Sequence, residues 1–219
     1  KKTFLPDEKQ KQRPHKAVPK LITNISKAIS NVYDRIAHSP NDPKVKEAYE
    51  AMMDETKDQY NFIVSKGLNV ERHTGTGEPY ANSQEMLNDV RNNNNLKFLP
   101  NDVAFGQGDT APKDNIGLLP SGVKLKDGYE MTNSELFRVV HDYFGHGILG
   151  NQFGAMGEEN ATLQHLDLFS DKAAPAVIFQ TRGQNSWVNF SGENARANEL
   201  RKQGRALVSE GKTEEAAKL

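Results

Sequence analysis

The sequence predicts an α+β domain that is mostly α-helical, and three observations support this fold class. Apolar residues recur at steps of three and four over Ile22–Ile36 and again over Val45–Ile63, which is the spacing of one helix face. A third helix is expected in the stretch RVVHDYFGHGILG, Arg138–Gly150. Only short runs such as LKFL have the length and composition of strands. We therefore expect an N-terminal helical hairpin packed on a helical core that contains HDYFGH, with a few short strands.

Residues that begin and end helices mark the second N-terminal helix. Asp42 is a suitable N-cap because Pro43 follows it at the first helical position, and Gly67 fits the C-terminal end. The short connection between the two helices predicts an antiparallel pair. We expect the following residues to be largely buried: Ile25, Ile29, Val32, Met52, Ile63, Leu136, Val140, Phe144 and Leu163.

The middle of the chain is less regular. Leu68–His73 and LKFL are expected to be strands, with a short helix between them that opens at Ser83 and ends at the asparagine run NNNN. Residues 100–128 are rich in turn-forming residues and poor in apolar ones, which predicts an irregular segment. Asn133 or Ser134 is expected to cap the helix that follows.

Composition and length limit the possible classes of protein. The 219 residues include no cysteine, which excludes disulfides, thiolate zinc sites and iron–sulfur clusters. A net charge of −1 argues against nucleic acid as a partner, and no apolar run approaches the roughly 20 residues of a membrane-spanning helix. We expect a polar arm or linker over 1–19, one globular domain over 20–195 and a peripheral helical tail over 196–219. The chain begins at Lys1 and ends in charged helical sequence, so we expect it to be a piece of a longer polypeptide.

The motif HDYFGH places two histidines, His141 and His146, five residues apart. On a regular helix they would lie about 140° apart, but Gly145 can let the helix tighten or end and turn His146 toward His141. Glu158 follows after a glycine-rich turn, at the start of the next predicted helix. Two imidazoles and one carboxylate are the ligands of facial metal sites, so we predict that they bind a divalent ion, zinc or iron(II).

Other residues near the motif are candidates for the same site. His165 shares a helix face with Glu158 and is a further candidate metal ligand. Asp142, Glu159 and Arg182 are the candidate catalytic residues; Asp142 is also suited to orienting an imidazole, and Arg182 to pairing with a glutamate or binding a carboxylate or phosphate. Arg182 belongs to TRGQNSWVN, a stretch dense in amides that we interpret as a loop. Two alternatives remain open, namely a hydrogen-bonded core without metal and metal-free acid–base chemistry.

The segment HDYFGH, followed by a phenylalanine and an acidic helix, resembles the HxxxGH segment of the pterin-dependent aromatic amino acid hydroxylases. In that family the two histidines bind non-haem iron together with a more distant glutamate. The resemblance covers about twenty-five residues. It implies an iron site at His141 and His146, and it does not carry over to Glu158 or Glu159. Asp142 stands where the family has a glutamate, and Gly147 where it has a proline.

A broader resemblance covers roughly residues 30–195. The segments AYEAMMDETKDQY, DVRNNNN, FRVVHDYFGH, GEENA and TRGQNSWVNF, in this order, are similar to a domain found in large virion-associated polyproteins of bacteriophages. This resemblance implies a phage origin and a location in the virion or the host cytoplasm. The implied partners are other virion proteins or neighbouring segments of the polyprotein, and the resemblance implies no reaction.

Two functions follow from these observations. The first is a metal-dependent enzyme, a hydrolase or an oxygenase, with the site described above. The second is a non-enzymatic structural or interaction protein of the phage particle, which the polar arm and the long irregular segment favour. The metal content of the purified protein distinguishes between them.

Overall fold

The computed structural model describes residues 23–75, 77–101, 115–209, 211–216 and 218. Within these residues the fold is mostly α-helical with two small sheets, which confirms the predicted α+β class. The predictions for the arm at 1–19 and for the middle of the irregular segment at 102–114 lie outside the described residues.

All four strands of the described residues lie before residue 133, and the described chain after them is mostly helical. The N-terminal half contains α1 (Thr23–Tyr33), α2 (Pro43–Ser65), β1 (Asn69–Arg72), α3 (Ser83–Asn93) and β2 (Asn95–Phe98). A 3₁₀ turn (Ile116–Leu118) then leads into β3 (Pro120–Lys124), β4 (Glu130–Thr132), α4 (Asn133–His141) and a π-helical turn, π1 (Asp142–Ile148). The C-terminal part contains α5 (Ala155–Leu166), α6 (Ala174–Ile178), a second π turn, π2 (Phe179–Gly183), α7 (Gln184–Phe190), α8 (Gly192–Ser209) and α9 (Thr213–Ala216).

The strands form two separate pairs. β1 and β2 are parallel, with Asn69 opposite Asn95, so both strands expected from the sequence are confirmed. β3 and β4 form an antiparallel hairpin whose first strand lies inside the segment 100–128 that was expected to be irregular. This part of the prediction was wrong because the hairpin is short and turn-rich, and only Ser121 and Met131 of its strands are buried.

The helix ends show which capping predictions hold. The Asp42 side chain accepts hydrogen bonds from the backbone N–H groups of Lys44 and Val45, and Pro43 is the first residue of α2, as predicted. The cap of α4 is Thr132 rather than Asn133 or Ser134. Its hydroxyl and the Glu135 carboxylate bond to each other's backbone N–H groups in a reciprocal capping box. Asn133 instead donates to the carbonyl of Ile116.

The core consists of two groups of buried side chains on either side of α4. One surrounds Leu136 and Val140 and includes residues from the β1–β2 sheet, α3 and π1. The other surrounds Phe137 and joins α2 to α6. The predicted core positions Met52, Ile63, Leu136, Val140 and Phe144 are all buried, so the apolar faces of α2 and of the motif helix are confirmed.

The apolar face of α1 was predicted wrongly. Ile25 is 43% exposed and Val32 52% exposed, and Ile29 is half-buried, because the helix turns Ser26 and Ser30 inward instead. These small side chains let α1 pack against α7, so its main contacts are with α7 rather than with α2 as in the expected hairpin. Leu163 is also exposed, at 38%, because the buried face of α5 carries polar side chains that belong to the site.

Candidate metal centre

The two motif histidines are brought together by a change of helix type. His141 is the last residue of α4, and the chain continues as π1, in which each turn is wider than in an α-helix. Residues five apart therefore lie above one another, and the His141 and His146 ring centroids are 5.3 Å apart. The sequence led us to expect that Gly145 would tighten or end the helix, whereas the helix widens and runs on to Ile148.

Two glycines allow neighbouring helices to approach the π turn. A Cβ atom on Gly145 would lie 2.8 Å from the Cβ of Ala161 in α5, and one on Gly147 would lie 3.2 Å from the methyl groups of Val90 in α3. The close approach at Gly145 places the first two turns of α5 beside the histidines. The glycines in GHG are thus explained by packing around the site.

Glu158 bridges the two histidines. Its Oε2 lies 3.2 Å from Nε2 of His141, and its Oε1 lies 3.2 Å from Nε2 of His146. One ligand atom from each of the three residues lies within 4.8 Å of the other two, a spacing that suits a shared metal ion. Ligand atoms about 2.0–2.2 Å from an ion are expected to lie within about 3–4 Å of one another, so little movement is needed to bind it.

The remaining ring nitrogen of His146 fixes its tautomer. Nδ1 lies 2.9 Å from the backbone carbonyl oxygen of Asn151, which can only accept, so Nδ1 carries the proton and donates it. The Asn151 side chain in turn donates to the carbonyl of Gly145 and to Gln164, which holds the turn in place. In the neutral ring the lone pair of Nε2 therefore points at Glu158, and a backbone carbonyl behind the ring is typical of metal-ligating histidines.

His141 is held by a chain of two buried side chains. Its Nδ1 lies 3.3 Å from Nδ1 of His165, and Nε2 of His165 lies 3.0 Å from Oε1 of Gln59 in α2. When His165 donates to Gln59, its Nδ1 accepts from Nδ1–H of His141, and the lone pair of His141 Nε2 points at Glu158. Both nitrogens of His165 are used in this chain, so the structure places His165 behind His141 and outside the three-residue group.

The pKa shifts follow from these contacts. Burial alone lowers the pKa of His146, but the Glu158 carboxylate outweighs it, with help from Asp142, and raises the pKa to about 9. Burial raises the pKa of Glu158, but the hydrogen bonds and charges of the two histidines lower this pKa by more. The net shift of the Glu158 pKa is therefore downward. Burial, together with the nearby His141 and His146, holds the pKa of His165 well below its usual value. His165 is therefore neutral at pH 7.

The three candidate catalytic residues occupy different positions. Arg182 pairs with Glu159, with 3.0 Å between Nη2 and Oε1, and Glu159 is buried. TRGQNSWVN, which was expected to be a loop, is helical across π2 and α7, so Arg182 extends from a helix. Asp142 lies next to His141 in the wall of the cavities described below, and burial raises the pKa of its carboxyl group.

A cavity of about 460 Å³ opens beside the centre. His141, Asp142 and Glu158 lie in its wall. Side chains of α2, α4, π2 and α7 contribute to the rest of the lining. A second cavity of about 330 Å³ lies between the β1–β2 sheet region and π1, and Asp142 and Arg138 lie in the walls of both. An ion held by His141, His146 and Glu158 would therefore border a space large enough for a small molecule.

Sequence reasoning did not find Gln59, Asn151 or Arg138 as parts of the site. Gln59 is 106 residues away from His165, so no local pattern connects them. Arg138 was inside the quoted motif, three residues before His141, and that helical spacing was a signal that could have placed it near the site.

Comparisons with protein families, with curated proteins and with solved structures found no match for this chain. In the part of the chain that the structure describes, no helix is both long enough and apolar enough to cross a membrane. We therefore infer the function from the chemistry of the site alone.

Proposed function

We propose that the protein is a metal-dependent enzyme whose single ion is bound by His141, His146 and Glu158. The observation that carries this proposal is that one ligand atom from each of these three side chains lies within 4.8 Å of the other two, next to a cavity. Each histidine has a partner that fixes its second nitrogen, which is how proteins orient imidazole ligands. Two histidines and one carboxylate leave further coordination positions for substrate or water.

The donor set suits iron(II) and zinc. Bound iron(II) would supply oxygen activation, and bound zinc would supply an activated water for hydrolysis. We propose iron(II) first, because a facial set of two histidines and one carboxylate is typical of non-haem oxygenases. The resemblance of HDYFGH to the iron-binding segment of the aromatic amino acid hydroxylases supports the same choice. Within this frame Asp142, in the cavity wall beside His141, is the residue placed to exchange a proton with substrate.

Element analysis of protein purified without chelators tests the proposal. We expect about one iron or zinc ion per chain, and less than about a tenth of that in the His146→Ala and Glu158→Gln variants. His38→Ala is the matched control, because this histidine is exposed and lies outside the site. A native protein that holds less than about 0.1 ion per chain and takes up none on incubation with Fe²⁺ or Zn²⁺ would overturn the proposal.

The identity of the ion decides between the reactions. If iron is found, consumption of O₂ by the reduced protein is expected, and Glu158→Gln abolishes it. If zinc is found, the first assay is the hydrolysis of activated ester substrates instead of the consumption of O₂.

A second candidate function is a packing domain of a bacteriophage particle or polyprotein. The observation that favours it is the exposure of Ile25 and Val32 on α1 and of Ile36 just after this helix. Apolar patches of this kind mark protein contacts. Co-purification of the chain with virion proteins, lost in an Ile25→Ser/Val32→Ser variant that keeps its metal, would support this function in addition to the first.

A further inference from the structure

Arg138 is the cationic side chain of the larger cavity, and the metal centre does not use it. It is the only arginine or lysine among the described residues that line this cavity. Its Nη1 donates to the backbone carbonyl of Leu99 at 2.5 Å. In the described part of the chain, no aspartate or glutamate oxygen lies within 4.0 Å of its guanidinium. Arg138 is half-buried and lines this cavity, and a guanidinium is suited to binding an anion through two parallel hydrogen bonds.

The position of Arg138 on α4 sets its distance from the ion. Ser134, Arg138 and His141 line the cavity at helical steps of four and three, so they share one face of the helix. Arg138 precedes His141 by three residues, which is about 4.5 Å along the axis. A molecule whose anionic group binds Arg138 can therefore reach the ion with only a few atoms.

The charges around the centre favour a single negative charge on that molecule. With neutral histidines and an ionised Asp142, a divalent ion and Arg138 bring three positive charges, and Glu158 and Asp142 bring two negative ones. The difference of one is balanced by a monoanion. The rest of the wall includes the apolar side chains of Met52, Met53 and Phe137, which fit an apolar body.

From this arrangement we infer that Arg138 binds the carboxylate of a small, apolar monoanionic substrate whose other end approaches the ion at His141 and Glu158. The inference rests on the proposed metal centre for the second contact and for the count of charges. It also reassigns the anion-binding role that the sequence suggested for Arg182. That residue is already paired with Glu159 and does not line either cavity.

The test measures binding of benzoate, with benzamide as its uncharged counterpart, by ligand-observed NMR on the metal-free and the Co²⁺-loaded protein. We expect benzoate to bind more tightly than benzamide to both forms. Arg138→Met should weaken benzoate binding about tenfold or more, since a hydrogen-bonded charge is lost, and leave benzamide unchanged. Arg138→Lys should keep part of the affinity for benzoate, because the positive charge remains but the planar guanidinium, which can form two parallel hydrogen bonds, is lost. Inorganic phosphate should compete poorly.

The matched control is Arg91→Met. Arg91 also donates to a backbone carbonyl, that of Ile148 at 2.6 Å, but it does not line either cavity. Its loss should not change benzoate binding. Equal binding of benzoate by the native protein and a folded Arg138→Met variant, or an equal effect of Arg91→Met, would overturn the anion site. Phosphate binding as tight as that of benzoate would overturn the substrate class.

The same samples keep this inference separate from the metal proposal. If the protein takes up no Co²⁺ but the metal-free form binds benzoate through Arg138, the metal proposal fails and the anion site stands. If Co²⁺ binds and neither form binds benzoate, the anion site fails and the metal centre stands.

Discussion

Replacing Gly145 with alanine tests whether close packing at the π turn holds the site together. The added Cβ would lie 2.8 Å from Cβ and 3.5 Å from Cα of Ala161, and 3.6 Å from Cε1 of His141. Overpacking of this kind costs about 1–3 kcal/mol, against which alanine gains up to about 1 kcal/mol of helix propensity. We expect a net loss of about 1–2 kcal/mol. For a chain of this size that lowers the melting temperature by roughly 2–8 °C.

The same substitution should disturb the metal site, because Ala161 lies between Glu158 and His165 on α5. Moving α5 away from π1 moves a proposed ligand and the residue that orients another. We expect Co²⁺ affinity to fall about tenfold, measured by competition with a chromophoric chelator. Stability is measured by urea denaturation of the metal-free protein.

A second substitution makes the cause identifiable. Ala161→Gly removes the atom that the new methyl group would meet, so the double variant should recover at least about 1 kcal/mol relative to the sum of the single effects. Gly192→Ala is the matched control, since a Cβ atom there meets nothing within 4 Å. Effects of Gly145→Ala and Ala161→Gly that add to within about 0.5 kcal/mol would refute the packing explanation.

Four further predictions concern charge, orientation and capping. Metal affinity should rise about tenfold per pH unit toward pH 9, because the ion displaces a proton from His146, whose raised pKa is about 9. Competition with a chelator measures this affinity, and an affinity that does not change with pH would contradict the prediction. The metal-free protein should lose stability from about pH 6.5 to 9 in urea titrations, since a raised pKa stabilises only while the histidine is protonated. His165→Leu should weaken metal binding about 10–100-fold, because His141 loses the partner of its Nδ1. His165→Asn should recover part of the affinity, since its amide oxygen can accept from His141. Equal metal affinities of the native protein and the His165→Leu variant would show that His165 does not orient His141. Glu135→Ala should cost about 2–4 kcal/mol, because the carboxylate accepts from two backbone N–H groups and the Tyr129 hydroxyl, whereas the exposed Glu130→Ala should cost little.

Much of the fold and the three-residue group could be predicted because the signals were local. Asp42 and Pro43 fix the start of α2 through contacts within one turn. His141, His146 and Glu158 lie within eighteen consecutive residues, so a helix, a turn and a second helix are enough to bring them together.

The failures have non-local causes. Periodicity showed that α1 has an apolar stripe but not which face would meet the rest of the protein. Ser26 and Ser30 are the buried residues of α1, because α7 can approach closely over small side chains. The π turn depends on packing against Ala161 and Val90, which lie in other helices, so HDYFGH alone did not reveal it. The bond between His165 and Gln59 joins residues that only the complete fold brings together.

Proton counting distinguishes a metal centre from a hydrogen-bonded core. His146 uses its Nδ1 proton on Asn151. When His165 donates to Gln59, His141 likewise uses its Nδ1 proton on His165, and in that arrangement both Nε2 atoms need an additional proton to bond to Glu158. Two imidazolium rings against one carboxylate would leave a net positive charge in a largely buried site. Buried ion pairs rarely repay their desolvation even when balanced, which makes such a core a poor source of stability. One divalent ion would satisfy both Nε2 lone pairs and the carboxylate without any added proton, and this is the arrangement that we propose.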